Sequence, residues 1–160
     1  MAERIEAFGE DHLHECAELL VSAFNTEPWN DSYTPDTAKR QLAWHLEVPG
    51  CLGLVSVKDG IVAFFIGYRE PTDVGDVFHL SIFCVRPDMQ RTGVGTRLLR
   101  HLEERLRQTG VRTVYLGTRR GTPAEAFYAK HGYGVNEEDI EMSRDLDNSG
   151  RGEGASGESA

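Results

Sequence analysis

Between Val85 and Thr96 the chain reads VRPDMQRTGVGT: a strand ends, a turn with two glycines follows, and a long helix begins. No other stretch narrows the choice of fold as much. Gly93 and Gly95 allow backbone conformations and a closeness of approach that side chains would bar. The helix opening there offers unpaired N–H groups and the positive end of its dipole, together an anion site for which pyrophosphate is the natural guest. A Rossmann fingerprint is excluded, since Leu98 stands where its third glycine belongs and no acidic residue ends a strand about 20 residues on. A P-loop is excluded by the missing Gly-Lys-Ser/Thr ending. A tight strand-to-helix turn with no ligand stays open as the plainer alternative.

Around this stretch the periodicity predicts alternating elements. A first strand runs near Ile5–Phe8. Leu13, Ala17, Leu20, Val21 and Phe24 fall at helical spacing over about Asp11–Phe24. Thr34-Pro35 reads as an N-cap and first helical residue, with Ala38, Leu42 and Leu46 on one apolar face and Pro49-Gly50 as the stop. Leu52–Val57 and Ile61–Tyr68 flank Lys58-Asp59-Gly60, and Asp-Gly is a strong hairpin signal. A strand over Asp76–Val85 leads into the glycine turn. The helix after it carries Leu98, Leu99, Leu102 and Leu106 on one side and stops at Gly110. Val111–Leu116 reads as a strand, Thr122-Pro123-Ala124-Glu125 as a capping box opening a short helix to Lys130, and Tyr133–Met142 as a last strand or hairpin. The expected class is α/β, a mixed sheet flanked by helices. One domain over residues 1–146 accounts for the pattern, with 147–160, rich in Gly and Ser, as a disordered tail.

Composition bounds the function. A net charge of -9 lacks the basic footprint of a nucleic-acid binder and suits a cationic substrate such as an amine, or simply solubility. Three cysteines, Cys16, Cys51 and Cys84, are odd in number and have no CxxC spacing, which argues against a disulfide framework and a metal site. With no apolar run near membrane-span length and no signal-peptide pattern at the start, a cytoplasmic protein without a membrane partner is expected.

Two segments carry a family resemblance. Gln90-x-x-Gly93-x-Gly95 resembles motif A of the GNAT superfamily of N-acetyltransferases, and Phe127-Tyr128-Ala129-Lys130-His131-Gly132-Tyr133 resembles its second signature, Phe-Tyr-x-x-x-Gly-Phe/Tyr. Their order and spacing also match, and the resemblance covers about Glu3–Leu146. It implies the GNAT fold, with a mixed, mostly antiparallel central sheet, and acetyl-CoA as cosubstrate. The EPWNDSYTPDTAKRQL stretch is similar to members related to aminoglycoside and other small-amine acetyltransferases.

By that resemblance the pyrophosphate lies on the turn residues Gln90, Arg91, Gly93, Val94, Gly95 and Thr96, and the pantetheine arm pairs with backbone groups of Phe83 and Val85. A backbone donor near Cys84 or Val85 would receive the developing oxyanion. Tyr128 matches the tyrosine that protonates the departing thiolate; packing of its helix is the other reading. Many members carry a glutamate base on the strand before motif A, but Val77–Phe83 contains no carboxylate. His79 stands where some members carry the base, and a structural histidine is the alternative. Asp76, Glu70 and Ser81 through a water are further candidates. Gly121 replaces an asparagine that many members use toward the cofactor. Trp29, Tyr33, Trp44, His45, Phe65 and Tyr68 are candidates to line the acceptor site, with Glu27, Asp31 and Glu70 to attract a cation.

The expected activity is acetyl transfer from acetyl-CoA to a small-molecule amine by direct attack. Acetylation of a protein N-terminus or lysine, or a non-catalytic acyl-CoA-binding regulatory module, are the alternatives. The oligomeric state is not legible; similar proteins commonly form dimers, which makes a homodimer the candidate assembly.

Overall fold

The computed structural model describes residues 2–147, and the expected tail beyond Asp147 lies outside them. The chain divides at Leu116/Gly117 into two compact units. In the first, five strands form one sheet in the order β1 (Arg4–Ala7), β2 (Cys51–Val57), β3 (Ile61–Thr72), β4 (Gly75–Val85), β5 (Thr113–Tyr115). The first four pair antiparallel, and β5 joins β4 parallel. This is the expected mixed, mostly antiparallel sheet.

Local chemistry explains the connections. The three residues between the paired Val57 and Ile61 include Asp59 at φ 55° and Gly60 at φ 88°, left-handed values that Asp and Gly reach more readily than other residues. A second hairpin joins β3 to β4 through Thr72–Gly75, where the Thr72 hydroxyl bonds the Gly75 carbonyl. It carries both strands several residues beyond the ends expected from sequence, so Arg69 and Glu70 lie on a strand rather than in a loop. The strand expected over Val111–Leu116 is shorter, pairing only through Thr113–Tyr115.

Three helices pack on this sheet: α1 (Leu13–Phe24), α2 (Pro35–Glu47) and α3 (Val94–Gln108). Directly opposed residues of paired strands share a face. Cys84, opposite Phe64, reaches the Leu19 carbonyl at 3.8 Å, which puts α1 on that face; α2 packs on α1 and on β2–β3. Arg69, on the other face, donates to the Thr109 carbonyl at the end of α3 at 2.8 Å, so α3 covers the reverse side. Leu98, Leu99 and Leu102 of α3 and Phe64, Phe65 and Phe78 of the sheet are fully buried. Truncating any of them costs about 2–5 kcal/mol.

The second unit holds α4 (Pro123–Lys130), capped by the Thr122 hydroxyl, which accepts from the Glu125 N–H. Glu125 bonds the Gly121 N–H, one residue before the N-cap. Tyr133–Met142 forms no strand. Asn136 instead bonds the Glu138 N–H and the Asp139 carboxyl, a local turn that competes with extended pairing. Val135, Ile140 and Met142 are exposed. Alternation alone gave the segment no partner.

Candidate functional site

Beside β4 the sheet opens. Pairing with β5 covers only Val77–His79 on β4; Leu80–Val85 runs on past it, paired with β3. The divergence begins at a bulge: Gly67 opposes Leu80 and Ile66 opposes Ile82, leaving Ser81 unmatched. A bulge adds local twist, here just where the two parallel strands part. Gly67 is required opposite it, because a Cβ there would meet the His79 carbonyl and the Phe78 ring.

The direction of the backbone groups follows from one bond. Arg86 N–H donates to the Val62 carbonyl at 2.8 Å, toward β3. Strand alternation then points the N–H and C=O of Val85 and Phe83 away from β3. These are the two residues singled out from sequence. The Gln90 side-chain amide donates to the Val85 carbonyl at 3.2 Å, across the turn.

After Val85 the chain passes through a 3₁₀ turn at Pro87–Met89, and Thr92 bonds back to the Met89 carbonyl. Arg91 at φ 65° and Gly93 at φ 90° swing the chain into α3. Gly93 is the N-cap, with no side-chain cap. Its carbonyl accepts the Arg97 N–H at 3.0 Å, which leaves the amides of Val94, Gly95 and Thr96 at the helix opening. Arg91 is exposed. Arg97 turns away to a two-pronged ion pair with Glu3, at 2.9 and 3.1 Å. That guanidinium holds the Glu3 carboxyl below the usual range, chiefly by hydrogen bonding. The anion-binding capacity of this turn therefore resides in the backbone.

His79 is the last β4 residue paired to β5. It opposes Tyr68 on β3 and Tyr115 on β5, and the three rings form a row across the strands. The Tyr68–His79 centroids are 4.8 Å apart and the His79–Tyr115 centroids 5.8 Å, each pair inclined by 25°. The first distance matches the spacing of neighbouring strands. His79 Nε2 lies 2.8 Å from Glu70 Oε1.

Of the other base candidates, Asp76 is engaged by Arg69 at 2.6 Å on the opposite face, and Ser81 sits half-buried in the bulge. The Cys84 thiol is fully buried, and burial pushes it well above the ordinary thiol range, which suits packing rather than nucleophilic attack. Tyr128 is buried on α4, edge-on to Phe127 and Tyr133, and its carbonyl accepts the His131 and Tyr133 N–H groups that end the helix.

The acceptor-lining candidates scatter. Phe65 is fully buried on the α3 face, and His45 is buried with Nδ1 2.9 Å from the Gln41 carbonyl. Trp29 packs on Phe24, the Tyr33 hydroxyl bonds Gln41, and Trp44 is 61% exposed. Only Tyr68 joins His79. Tyr115 escaped the sequence reading altogether, because only strand register brings it beside the histidine.

The acetyltransferase (GNAT) family model matches residues 13–133. The chain belongs to this family. As a GNAT member it is an N-acetyltransferase, and the family's acyl donor is acetyl-CoA. No curated protein matches it. Several solved structures share its fold. An aminoglycoside acetyltransferase from an uncultured soil metagenomic sample is 20% identical with a TM-score of 0.66, covering 92% of this chain and 100% of its own. Glucosamine-6-phosphate N-acetyltransferase from Arabidopsis thaliana is 19% identical with a TM-score of 0.68 and the same coverages. A transcriptional regulator from Bacillus halodurans C-125 is 18% identical with a TM-score of 0.73, covering 89% of this chain and 100% of its own. No helix among the described residues is long and apolar enough to cross a membrane.

Proposed function

We propose that this chain transfers the acetyl group of acetyl-CoA to the amine of a small molecule by direct attack. The observation that carries the reading is the run of β4 beyond its pairing with β5, leading into the uncapped start of α3. The Val85 N–H, turned away from β3, suits the amide-bearing pantetheine arm, and the Val94, Gly95 and Thr96 amides suit pyrophosphate. A peptide edge recognises a peptide-like arm without any particular side chain, so the fit does not depend on Gln90 or Arg91.

In this reading the attacking nitrogen loses its proton to His79 while its lone pair forms the amide bond. The C–S electrons leave on sulfur, and Tyr128 protonates the thiolate. The small-molecule acceptor draws support from the aminoglycoside and glucosamine-phosphate enzymes among the structural neighbours, from the acidic net charge, and from Glu70 beside His79.

Calorimetric titration with acetyl-CoA, followed by thiol release across a panel of small amines and peptides, tests the proposal. Saturable binding with release driven by a small amine is expected. Release with peptides alone would move the acceptor to protein, and failure to bind any acyl-CoA would end the reading. Tyr128→Phe should slow turnover about 10²-fold, the lower end for a positioned acid, with acetyl-CoA affinity unchanged.

A further inference from the structure

Resting on the reading of His79 as general base, we propose that Glu70 is its positioning residue: the carboxylate holds His79 in the Nε2–H tautomer and leaves Nδ1 to take the proton of the attacking amine. The β3–β4 register carries the argument. Tyr68 opposes His79, and Glu70, two residues along β3 and on the same face, opposes Val77. From that position Glu70 Oε1 reaches His79 Nε2 at 2.8 Å. An ionised carboxylate only accepts, so the nitrogen facing it is the one that carries hydrogen. The neutral ring then has its lone pair on Nδ1.

The surroundings favour the protonated product of that transfer. When Nδ1 takes the proton, the Nε2–H already directed at Glu70 becomes a charge-assisted bond. Phenol rings flank the imidazolium at 4.8 and 5.8 Å and attract a cation. They also hold the plane of the ring between them. Among the described strand residues, the titratable groups of this face are Tyr68 and Glu70 of β3, Tyr115 of β5 and, beyond Tyr68, Cys51 of β2. Asp76 of β4 faces the other side, bound to Arg69. His79 remains 31% exposed, enough for an acceptor to reach its edge. No other histidine of the first unit combines a carboxylate partner with two stacked rings among the described residues: His12 has Glu6 but a single ring contact, with Phe8.

The test uses the full chain with ¹⁵N-labelled histidine, the His79 ring signals being assigned by their loss in His79→Gln. Two-bond ¹H–¹⁵N correlations are expected to show the Nε2–H tautomer in the wild type and a mixture in Glu70→Ala. Glu70→Gln, whose amide oxygen still accepts the Nε2–H, should restore the tautomer. In turnover, Glu70→Ala should lower kcat about tenfold, a part of the roughly 10²–10⁴-fold a positioned base supplies, with the KM for acetyl-CoA unchanged. An Nδ1–H tautomer in the wild type, or a tautomer indifferent to Glu70→Ala, overturns the proposal while leaving His79 as base. Full turnover by His79→Gln instead removes the base reading on which it rests.

Discussion

Helices α2 and α3 are entered differently, α2 from extended Thr34 and α3 from left-handed Gly93, and they treat their first amides in opposite ways. At α2 the Thr34 hydroxyl accepts from the Thr37 N–H at 3.0 Å, the Thr37 hydroxyl accepts from the Thr34 N–H at 2.8 Å, and Pro35 needs no partner at the first helical position. At α3 a glycine at φ 90° makes the turn, and no side chain caps the helix. The first arrangement is complete in itself and stabilises the fold. The second leaves its amides without a side-chain cap, next to the end of β4. A helix start whose amides are already bonded has little to offer a phosphate. The contrast therefore separates a structural cap from a binding one more sharply than the presence of a helix dipole, which both possess.

Three substitutions would break or sharpen this contrast. The largest effect is expected from Gly93→Val. A branched residue at φ 90° is strained, and its Cβ would lie 2.8 Å from Arg97 Nη1. Moving the turn should weaken acetyl-CoA by at least about tenfold, or 1.4 kcal/mol, in protein whose circular dichroism remains native. Undiminished affinity would remove this turn from the binding site. Thr34→Ala should do the reverse, lowering unfolding free energy by about 1 kcal/mol in urea titration and leaving acetyl-CoA affinity alone. A loss of affinity there would erase the distinction between the two starts.

The smallest effect belongs to Glu3→Gln, which releases Arg97 near the α3 turn. The Glu3 carboxyl is depressed in the folded state, so the ion pair contributes stability above the unfolded carboxylate value and loses it as pH falls through the folded one. Wild-type stability should therefore fall more steeply than the variant's below about pH 4.3, by less than about 1 kcal/mol. Acetyl-CoA affinity at neutral pH should be unchanged. A marked gain on freeing Arg97 would mean that a side chain, and not only the backbone, meets the phosphates.

Much of this was legible along the chain. Asp59-Gly60 announced its hairpin because Asp and Gly tolerate the left-handed values the turn adopts. Thr34-Pro35 announced α2 because a cap is local. Gly93 and Gly95 marked the turn for the same reason. The misses were non-local or lacked a partner. The strand expected to end at Tyr68 runs on to Thr72, so Glu70, nine residues from His79 in the chain, reaches it only through the β3–β4 register. Gln90 matched its motif, yet its amide serves the Val85 carbonyl, a pairing that no spacing rule specifies. Tyr133–Met142 carried an alternating pattern, but Asn136 offers its backbone a nearer bond.

The sequence by itself determined the order of elements, the glycine turn and the family, because these depend on residues close in the chain and on two spaced signatures. Tertiary structure decided where β4 parts from β5, which backbone groups face the opening, and which side chains gather at His79. A row of rings across β3, β4 and β5 exists only once the strands are in register, and a one-residue slip would turn the histidine to the other face.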